Sequence, residues 1–483
     1  MPKKIVIVGA GLGGLAAGLR LAHAGHVITI FEKTDQVGGR NRTAHVNDCR
    51  FDAGPTLLMM LDPFRKLYSD VGERLEDHLQ LSLCDPSYRV FYSDGVRLEA
   101  TQNIARMVEQ IKELSPRDAR VYPKLLSDLA DLYKDSIPNF VEKNYNSPFD
   151  FFGPSSLAKV VKHRMLANLS KRISKYIEHP KLRMLFSFQT MYLGLSPFEA
   201  PWVYATLTYM EFGEGIWYPQ GGVVEIARSI ARLAEARGAK IHLNSPVSSI
   251  QGKSVTLESG EVVEADAILC NADLPYADRE LVPTQGKAPK SAKLKSSCSA
   301  FMIYCDYEGS LPELRHHNVF FGSDFADNLD RIFNRRLLPD DPAFYACISK
   351  RSESSVAPEG HENLMLLVPC PNLDRTWTDQ DATDLRDWVF ARLEREVGFE
   401  PSRVRGMKSF SPEDWRSVLN LDRGAAFGLS HHFNQSAFFR PANRSKSNPD
   451  LYFVGASTIP GNGMPMVLIS ADLAVQRILE RRS

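Results

Sequence analysis

The residues best suited to chemistry in this sequence form a glycine-rich turn near its N-terminal end. Gly9, Gly11, Gly13 and Gly14 follow an apolar run typical of a buried strand and precede a run typical of a helix. Gly9 permits a sharp turn, Gly11 lets a pyrophosphate approach the backbone, and Gly14 lets the helix pack close to a sheet. The helix N-terminus adds unpaired N–H groups and the positive end of the helix dipole. This spacing predicts a dinucleotide-binding turn.

Two segments just beyond the turn could bind the rest of the same ligand. The next apolar run ends at Glu32, whose carboxylate can accept hydrogen bonds from ribose hydroxyls, and Lys33 follows directly. Gly39 and Arg40 come soon after, where the glycine admits a close backbone approach and the guanidinium can neutralise phosphate charge. The first glycine pattern alone does not separate NAD from FAD, so this second segment carries the distinction.

Two later turns could bring backbone against a flat ring. Gly54, Pro55 and Thr56 end a short strand-like run, and a Gly-Pro turn allows such a close approach. Near the C-terminal end, a second strand-then-glycine pattern opens the last helix, whose N-terminus could face a flavin ring or its ribityl chain. The residues concerned there are Gly455, Gly463 and Met464.

Residues that could accept a proton are scattered and do not form a pair. The four candidates are Asp150, Glu211, Glu214 and His431. Such side chains are more often solvated or simply hydrogen-bonded, so the sequence assigns no catalytic residue. The histidine pairs at 316–317 and 431–432 lack companions with metal-ligand spacing, and we predict no metal site.

The separated glycine turns require a fold that brings distant segments together. At 483 residues the chain exceeds the usual size of a single core, so two domains are expected. The composition shifts predict a discontinuous cofactor domain from residues 1–87, 215–285 and 422–483. The second domain, which would face the substrate and the membrane, comprises residues 88–214 and 286–421.

Composition excludes several classes of protein. The 58 basic and 58 acidic residues balance, so we predict no nucleic-acid partner. Seven scattered cysteines without a CxxC pair suit reduced thiols rather than a disulfide framework. The sequence begins on a strand rather than a secretory signal, and no apolar stretch reaches about 18 residues. We therefore expect a cytoplasmic protein without a membrane span.

One segment could still place the protein on a membrane surface. Residues 157–177 carry Lys or Arg at six positions and no acidic residue, while apolar residues recur near helical spacing. This pattern predicts an amphipathic helix lying on an anionic bilayer, or equally a packed helix with a basic solvent face. The first interpretation predicts peripheral, monotopic association with the membrane.

Taken in order, these segments resemble one family along nearly the whole chain. The sequence is similar to bacterial-type carotenoid desaturases, the phytoene and diapophytoene desaturase group, in the motifs VIVGAGLGGLAAGLRLA, FEKTDQVGGR, FDAGPT, GIWYPQGG and RPANRSKSNPDLYFVGASTIPGNGMP. The resemblance implies an α/β fold, with a glutathione-reductase-like FAD-binding Rossmann domain and an inserted α+β domain that faces substrate and membrane. Ile459 and Asn462 stand where relatives often carry His and a small residue, which leaves the substrate's identity open.

The same resemblance implies FAD as the cofactor. It further implies that the backbone of Val247 contacts the adenine side. The predicted FAD-binding residues are Gly9, Gly11, Gly13, Gly14, Glu32, Lys33, Gly39, Arg40, Gly54, Pro55, Thr56, Val247, Gly455, Gly463 and Met464.

The activity implied is desaturation of a lipophilic polyene precursor. A hydride would leave an allylic carbon for flavin N5, a proton would leave the neighbouring carbon, and quinone or oxygen would take the electrons. This chemistry needs a long apolar channel beside the ring. Candidate lining residues, most of which could equally be ordinary core, are Phe186, Phe188, Met191, Tyr192, Leu193, Trp202, Tyr204, Tyr209, Met210 and Phe212.

Three other activities fit the same scaffold. A carotenoid cis–trans isomerase would use the flavin without net oxidation. Rab escort and GDP-dissociation proteins bind prenyl lipids without turning over flavin, although the intact phosphate-binding turn and Arg40 argue against that role. An amine oxidase would favour polar substrates in an aromatic cage, which the motif set does not suggest.

Overall fold

A five-stranded parallel sheet joins strands from both ends of the chain in the computed structural model, which describes residues 1–145, 147–282 and 290–480. Every neighbouring pair in it is parallel. Parallel neighbours need crossover connections, and the sheet is accordingly buried under helices. In spatial order its strands are Leu451–Phe453, Ala267–Cys270, Lys4–Val8, Val27–Phe31 and Lys240–His242.

Five helices among the described residues share one hydrophobic core with this sheet. Their buried apolar side chains pack together with Ile7 and Ile30 of the central strands. The helices are Leu12–His23, Asp62–Ser69, Leu75–His78, Val224–Ala236 and Met464–Glu480. The predicted α/β fold with a Rossmann-type sheet is confirmed.

Three small antiparallel sheets flank the parallel one. A three-stranded meander connects two of its strands and carries Val247 at its first position. One hairpin follows the second glycine segment, and a separate two-stranded sheet pairs the GIWYP strand with a strand far upstream in sequence. The strands are Val247–Gln251, Ser254–Leu257 and Val262–Glu264; Thr43–Val46 and Cys49–Asp52; Leu81–Cys84 and Ile216–Pro219.

A seven-stranded mixed sheet forms the second large layer. All its pairings are antiparallel except the parallel one between His317–Phe320 and Tyr88–Phe91. In spatial order the strands are Val404–Phe410, Ser299–Glu308, His361–Cys370, Phe344–Ile348, His317–Phe320, Tyr88–Phe91 and Arg97–Ala100. The helices Phe325–Asp330, Asp379–Val397 and Pro412–Leu419 lie in the same part of the chain.

The segment between residues 104 and 214 is mainly helical. Its helices, joined by short 3-10 and π-helical turns, are Ile104–Leu114, Pro116–Ser136, Pro148–Phe152, Pro154–His163, Leu169–Tyr176, Pro180–Leu185 and Thr206–Tyr209. Within the described ranges, none of the helices combines the length and hydrophobicity that a membrane span requires.

The prediction of a single amphipathic helix over residues 157–177 is wrong. Arg164 adopts a left-handed conformation (φ 52°) that ends the helix Pro154–His163. A second helix begins after Asn168, whose side chain accepts a hydrogen bond from Lys171 N at 2.9 Å. A left-handed cap is usually formed by glycine, and the arginine at position 164 does not predict one.

The proposed division into two discontinuous domains remains a prediction. The parallel sheet draws its strands from residues 4–31, 240–270 and 451–453, whereas the seven-stranded sheet uses residues 88–100 and 299–410. The boundary placed between residues 285 and 286 lies outside the described residues.

Candidate active site

A cavity of about 720 Å³ opens at the carboxyl ends of the parallel strands. Val8, Phe31 and Val454, at or just after three strand ends, line it, as does Asn271 after a fourth. Open α/β sheets bind their ligands in this position because the strand ends and helix N-termini converge there. Fourteen of the fifteen predicted FAD-binding residues line this one cavity, all except Gly14.

The first two glycine segments meet backbone to backbone. Gly38 N donates to Ala10 O at 2.8 Å, and Gly11 pairs with Gly38 in a parallel bridge. A Cβ added to Gly39 would lie 3.2 Å from the Cα of Gly11. Gly14 lies behind the cavity, where a Cβ would come within 2.2 Å of the Gly9 carbonyl oxygen. The turn therefore leaves bare backbone toward the cavity.

Glu32 is fixed at the end of its strand by three hydrogen bonds. Its Oε2 atom accepts from Ala10 N at 2.8 Å, and its Oε1 atom accepts from the backbone N and the hydroxyl of Thr34 at 2.9 and 2.8 Å. The side chain is 6% exposed and lines the cavity. Lys33 also lines it, although its ammonium is held by Asn420 Oδ1 at 2.9 Å.

Arg40 places a buried guanidinium in this wall, close to an acidic side chain. Its Nη1 atom donates to Ala426 O at 3.0 Å. Burial lowers the pKa of Arg40, and the nearby Asp273 carboxylate partly offsets that effect. Asp273 in turn accepts hydrogen bonds from the Ser457 hydroxyl and from Asp422 N. An arginine keeps its charge in such surroundings and can face a phosphate.

The remaining predicted residues come from the other turns. A Cβ on Gly54 would lie 2.0 Å from Arg40 O, so only glycine fits there. Gly455 and Gly463 have φ of +120° and +102°, and Met464 begins the last helix. Val247 is 9% exposed at the start of the meander.

The site fits a flavin dinucleotide on its own geometry. The helix Leu12–His23 starts at Gly11 without a side-chain cap, which leaves its first N–H groups for an anion. No Cβ covers the Gly11 and Gly39 backbone, and the Glu32 carboxylate stands at the ribose position of such folds. Sequence reasoning missed Asn271, whose Nδ2 atom donates to Gly9 O at 3.3 Å inside the turn.

The rest of the cavity wall is largely apolar and aromatic. Six of the ten predicted channel residues line it: Phe188, Met191, Tyr192, Leu193, Tyr204 and Met210. The other four do not, namely Phe186, Trp202, Tyr209 and Phe212. The seven-stranded sheet supplies a further wall that the sequence did not reveal, with Met302, Val319, Phe344, Tyr345 and Leu367.

Of the acid–base candidates, only His431 lines the cavity. Its Nε2 atom accepts from Asn462 N at 3.4 Å, and burial holds its pKa well below the ordinary value. Asp150 instead caps a short helix, where it accepts from Ser147 N at 2.8 Å. Burial raises the pKa of Glu214, which is also outside the cavity lining.

Glu211 lies one layer behind the cavity wall. It is 1% exposed and accepts hydrogen bonds from the Tyr88 hydroxyl and Gln189 Nε2, each at 2.9 Å. Burial raises its pKa to about 7, and the hydroxyl of the cavity-lining Tyr192 is near enough to lower that value somewhat. Its other oxygen, Oε1, has no partner of hydrogen-bond geometry among the described residues.

The histidine pair at 316–317 has a companion that its sequence context does not show. Cys84 lies beside both imidazoles, with one ligand atom of each residue within 4.8 Å of the others. Structural zinc sites use four ligands, and His316 Nδ1 is already 2.6 Å from the Ser352 hydroxyl. The three residues therefore do not complete such a site, and the absence of a metal remains a prediction.

Comparison with known proteins identifies the family. Residues 12–479 match the family described as flavin containing amine oxidoreductase. The chain is 40% identical over 489 residues to a zeta-carotene-forming phytoene desaturase of Myxococcus xanthus, covering 99% of this chain and 94% of that protein. It is 32% identical to a 4,4'-diapophytoene desaturase of Staphylococcus haemolyticus, with 99% and 98% covered.

A solved structure shows the same fold. Cyclohexylamine oxidase from Brevibacterium oxydans superposes with a TM-score of 0.59 at 17% identity over the whole of both chains. The chain thus belongs to the flavin containing amine oxidoreductases, is a member of their phytoene and diapophytoene desaturase group, and uses FAD as its cofactor.

Proposed function

We propose that this protein desaturates a linear carotenoid precursor of the phytoene or diapophytoene class. The observation that carries the proposal is the continuity of one cavity from the bare glycine turns to a wall of aromatic and aliphatic side chains. Amine oxidation would call for polar groups around the substrate, whereas this wall suits a hydrocarbon. The relatives named above carry the same activity in their names.

The protein's own residues would bind and orient the reactants. Glu32 would accept the ribose hydroxyls, Arg40 would face the pyrophosphate, and the helix N-terminus at Met464 would lie against the ring. When bound, FAD supplies the hydride acceptor. The apolar wall, with Phe188 and Met210 among its members, would align the polyene and exclude water from the reacting carbons.

Access for such a substrate would come from a membrane surface. Phe149, Leu157 and Val161 are 83%, 45% and 73% exposed near one another in sequence. Leu166 is 55% exposed and also lines the cavity. We define these four residues as the apolar rim, which through Leu166 reaches the cavity. Together with the basic side chains between residues 159 and 175, the rim suits peripheral contact with anionic lipid on the cytoplasmic side.

The membrane contact can be tested with matched single substitutions. Val161→Asp places a charge in the rim. Val262→Asp places the same charge on an exposed strand of the small meander, where Val262 is 58% exposed. We expect V161D to lose co-sedimentation with anionic liposomes and V262D to retain it. Equal binding of both variants would remove this membrane proposal while leaving desaturation intact.

Desaturation itself is tested by incubating the FAD-loaded protein with phytoene and diapophytoene in liposomes, anaerobically with a quinone as electron acceptor in one arm and in air with oxygen as acceptor in the other. We expect the product to lose two hydrogens per step and to absorb at longer wavelength, because each step extends the conjugated system. A product of unchanged mass would indicate the isomerase alternative. A colourless protein that cannot be reconstituted with FAD would indicate the lipid-binding alternative.

A further inference from the structure

We propose that Tyr345 and His317 are the proton-accepting pair of this reaction. In the proposal, Tyr345 takes the proton from the substrate carbon while its own hydroxyl proton passes to Nδ1 of His317. The inference rests on the proposed desaturation, since that reaction must remove a proton from carbon inside the cavity.

Sheet register holds the two side chains together. Val319 stands directly opposite Tyr345 in the antiparallel pairing of His317–Phe320 with Phe344–Ile348. His317 precedes Val319 by two residues, so it points to the same face and is the diagonal neighbour of Tyr345. Its Nδ1 atom lies 2.6 Å from the Tyr345 hydroxyl, and the two rings are nearly parallel at 27°.

A second partner fixes the orientation of the phenol. Thr56 Oγ1 lies 2.8 Å from the same Tyr345 hydroxyl. A phenol has one proton to donate and two lone pairs, so it can donate to the imidazole, accept from Thr56 and keep one lone pair for a further proton. The hydroxyl is therefore oriented before any substrate arrives.

The pair also lies at the cavity wall, beside the segment proposed to contact the cofactor. Tyr345 and Thr56 line the cavity, and Thr56 follows directly on the Gly54–Pro55 turn that is proposed to contact the cofactor. His317 is 0% exposed and lies behind Tyr345, out of reach of solvent. The polar hydroxyl thus borders both the cofactor segment and the apolar wall.

With FAD as the hydride acceptor, every proton and electron pair of the reaction is accounted for. After the hydride leaves, the substrate is an allylic cation, and the C–H bond next to the cationic carbon is strongly acidic. That C–H bond breaks, and its electron pair becomes the new π bond. An O–H bond forms on Tyr345 as its old one breaks, and an N–H bond forms on His317. The quinone or oxygen that later takes the two electrons would also take two protons, this one and the one that left the substrate with the hydride.

The buried imidazole of His317 is suited to accept this proton. Burial lowers the pKa of His317 well below the ordinary value, so the ring stays neutral and Nδ1 keeps its lone pair. A weak base is sufficient because the donor is a carbocation. The competing route would use Glu211 behind Tyr192. Glu211 Oε1 and His317 Nε2 both lack a partner of hydrogen-bond geometry in the described structure, but His317 Nδ1 lies 2.6 Å from a hydroxyl that lines the cavity, whereas Glu211 Oε1 has no such contact.

The decisive variants are Tyr345→Phe and His317→Gln in the FAD-loaded protein. Anaerobic single-turnover mixing with substrate liposomes would follow flavin bleaching and product absorbance. We expect product formation to fall by about 100-fold in both, as for loss of a general base, with little change in the half-saturating substrate concentration. Tyr304→Phe is the matched control, because it also loses one hydroxyl of a buried tyrosine in the same sheet, one that donates to Ala53 O at 3.1 Å.

A purely structural effect is separated by isotope substitution. With deuterium on the carbon that loses the proton, we expect a larger isotope effect on product formation in Y345F than in the wild type, since proton loss becomes rate-limiting. Slower turnover with an unchanged isotope effect would indicate a packing defect and overturn the proposal. Thr56→Val, which leaves the pair intact, is expected to reduce the rate by only about 10-fold.

The remaining outcomes are also distinct. Wild-type product formation in Y345F, or loss confined to Tyr192→Phe and Glu211→Gln, overturns the assignment of this pair and leaves desaturation standing. Failure of the wild-type protein itself to desaturate either substrate overturns the proposed function and this pair with it. Thermal melting and the flavin spectrum identify any variant that fails to fold, in which case H317Q and T56V carry the comparison.

Discussion

Gly14 lies so close to Gly9 that a Cβ at position 14 would come within 2.2 Å of the Gly9 carbonyl oxygen. Gly11 lies three residues earlier in the same motif, and a Cβ added there would approach different atoms. Its Cβ would come within 2.7 Å of the side-chain amide of Asn271, on the cavity side, whereas the Gly38 carbonyl oxygen would be 4.0 Å away, at an ordinary contact distance. The two glycines thus serve packing and ligand approach respectively.

Gly14→Ala and Gly11→Ala should therefore fail in different ways. In G14A the obstacle is backbone, so we expect a melting temperature lower by several degrees or no folded protein. In G11A the Asn271 side chain can move, so the fold should persist while affinity for FAD drops. Thermal melting of the FAD-free protein and FAD titration separate the two effects. Equal melting of both variants would contradict this division of roles.

Glu32→Gln tests the ribose position. The carboxylate accepts backbone hydrogen bonds from Ala10 and Thr34, and an amide provides only one accepting oxygen. We expect FAD affinity to fall roughly 10- to 100-fold, equivalent to about 1.4 to 2.8 kcal/mol. Titration of FAD with fluorescence readout measures this. Thr34→Val removes the hydroxyl that donates to Glu32 and to Gln36 O but keeps the backbone N–H bond to Glu32, so it should have a smaller effect.

Gly461→Ala should disturb the C-terminal turn through His431. Gly461 has φ of +152°, and a Cβ there would lie 2.3 Å from His431 Nε2. We expect weaker FAD binding and a lower melting temperature, with part of each restored by the second substitution His431→Ala. Restoration is only partial because the backbone conformation still favours glycine. Additive losses in the double variant would show that the two residues do not interact.

The sequence alone predicted the cofactor half of the site better than the substrate half. Gly9, Glu32 and Gly455 occur in motifs where strand, turn and helix follow each other locally, so spacing is sufficient to place them. Tyr345 and His317 meet only because two strands pair in a particular register, and no local pattern encodes that register. The break at Arg164 was missed for a related reason, since no glycine or proline marks it.

Glu211→Gln tests the cost of a buried carboxyl through pH. Its pKa is raised from 4.5 to about 7 by burial, so the folded protein holds a proton that the unfolded chain releases between these pH values. The free energy of unfolding therefore falls by roughly 3 kcal/mol as pH rises through that window, and this contribution is constant above it. The glutamine variant lacks this dependence. Asp52, whose pKa burial also raises to about 7, is present in both proteins and cancels in the comparison.

The melting temperature of E211Q relative to the wild type should accordingly be higher at pH 8 than at pH 5. The Tyr88 hydroxyl and Gln189 amide keep an oxygen acceptor in the variant, so their hydrogen bonds need not be lost. Melting both proteins across this pH range measures the change directly. A difference between the two proteins that stays constant with pH would mean that Glu211 is ionised in the folded state throughout, and that its surroundings are more polar than its burial indicates.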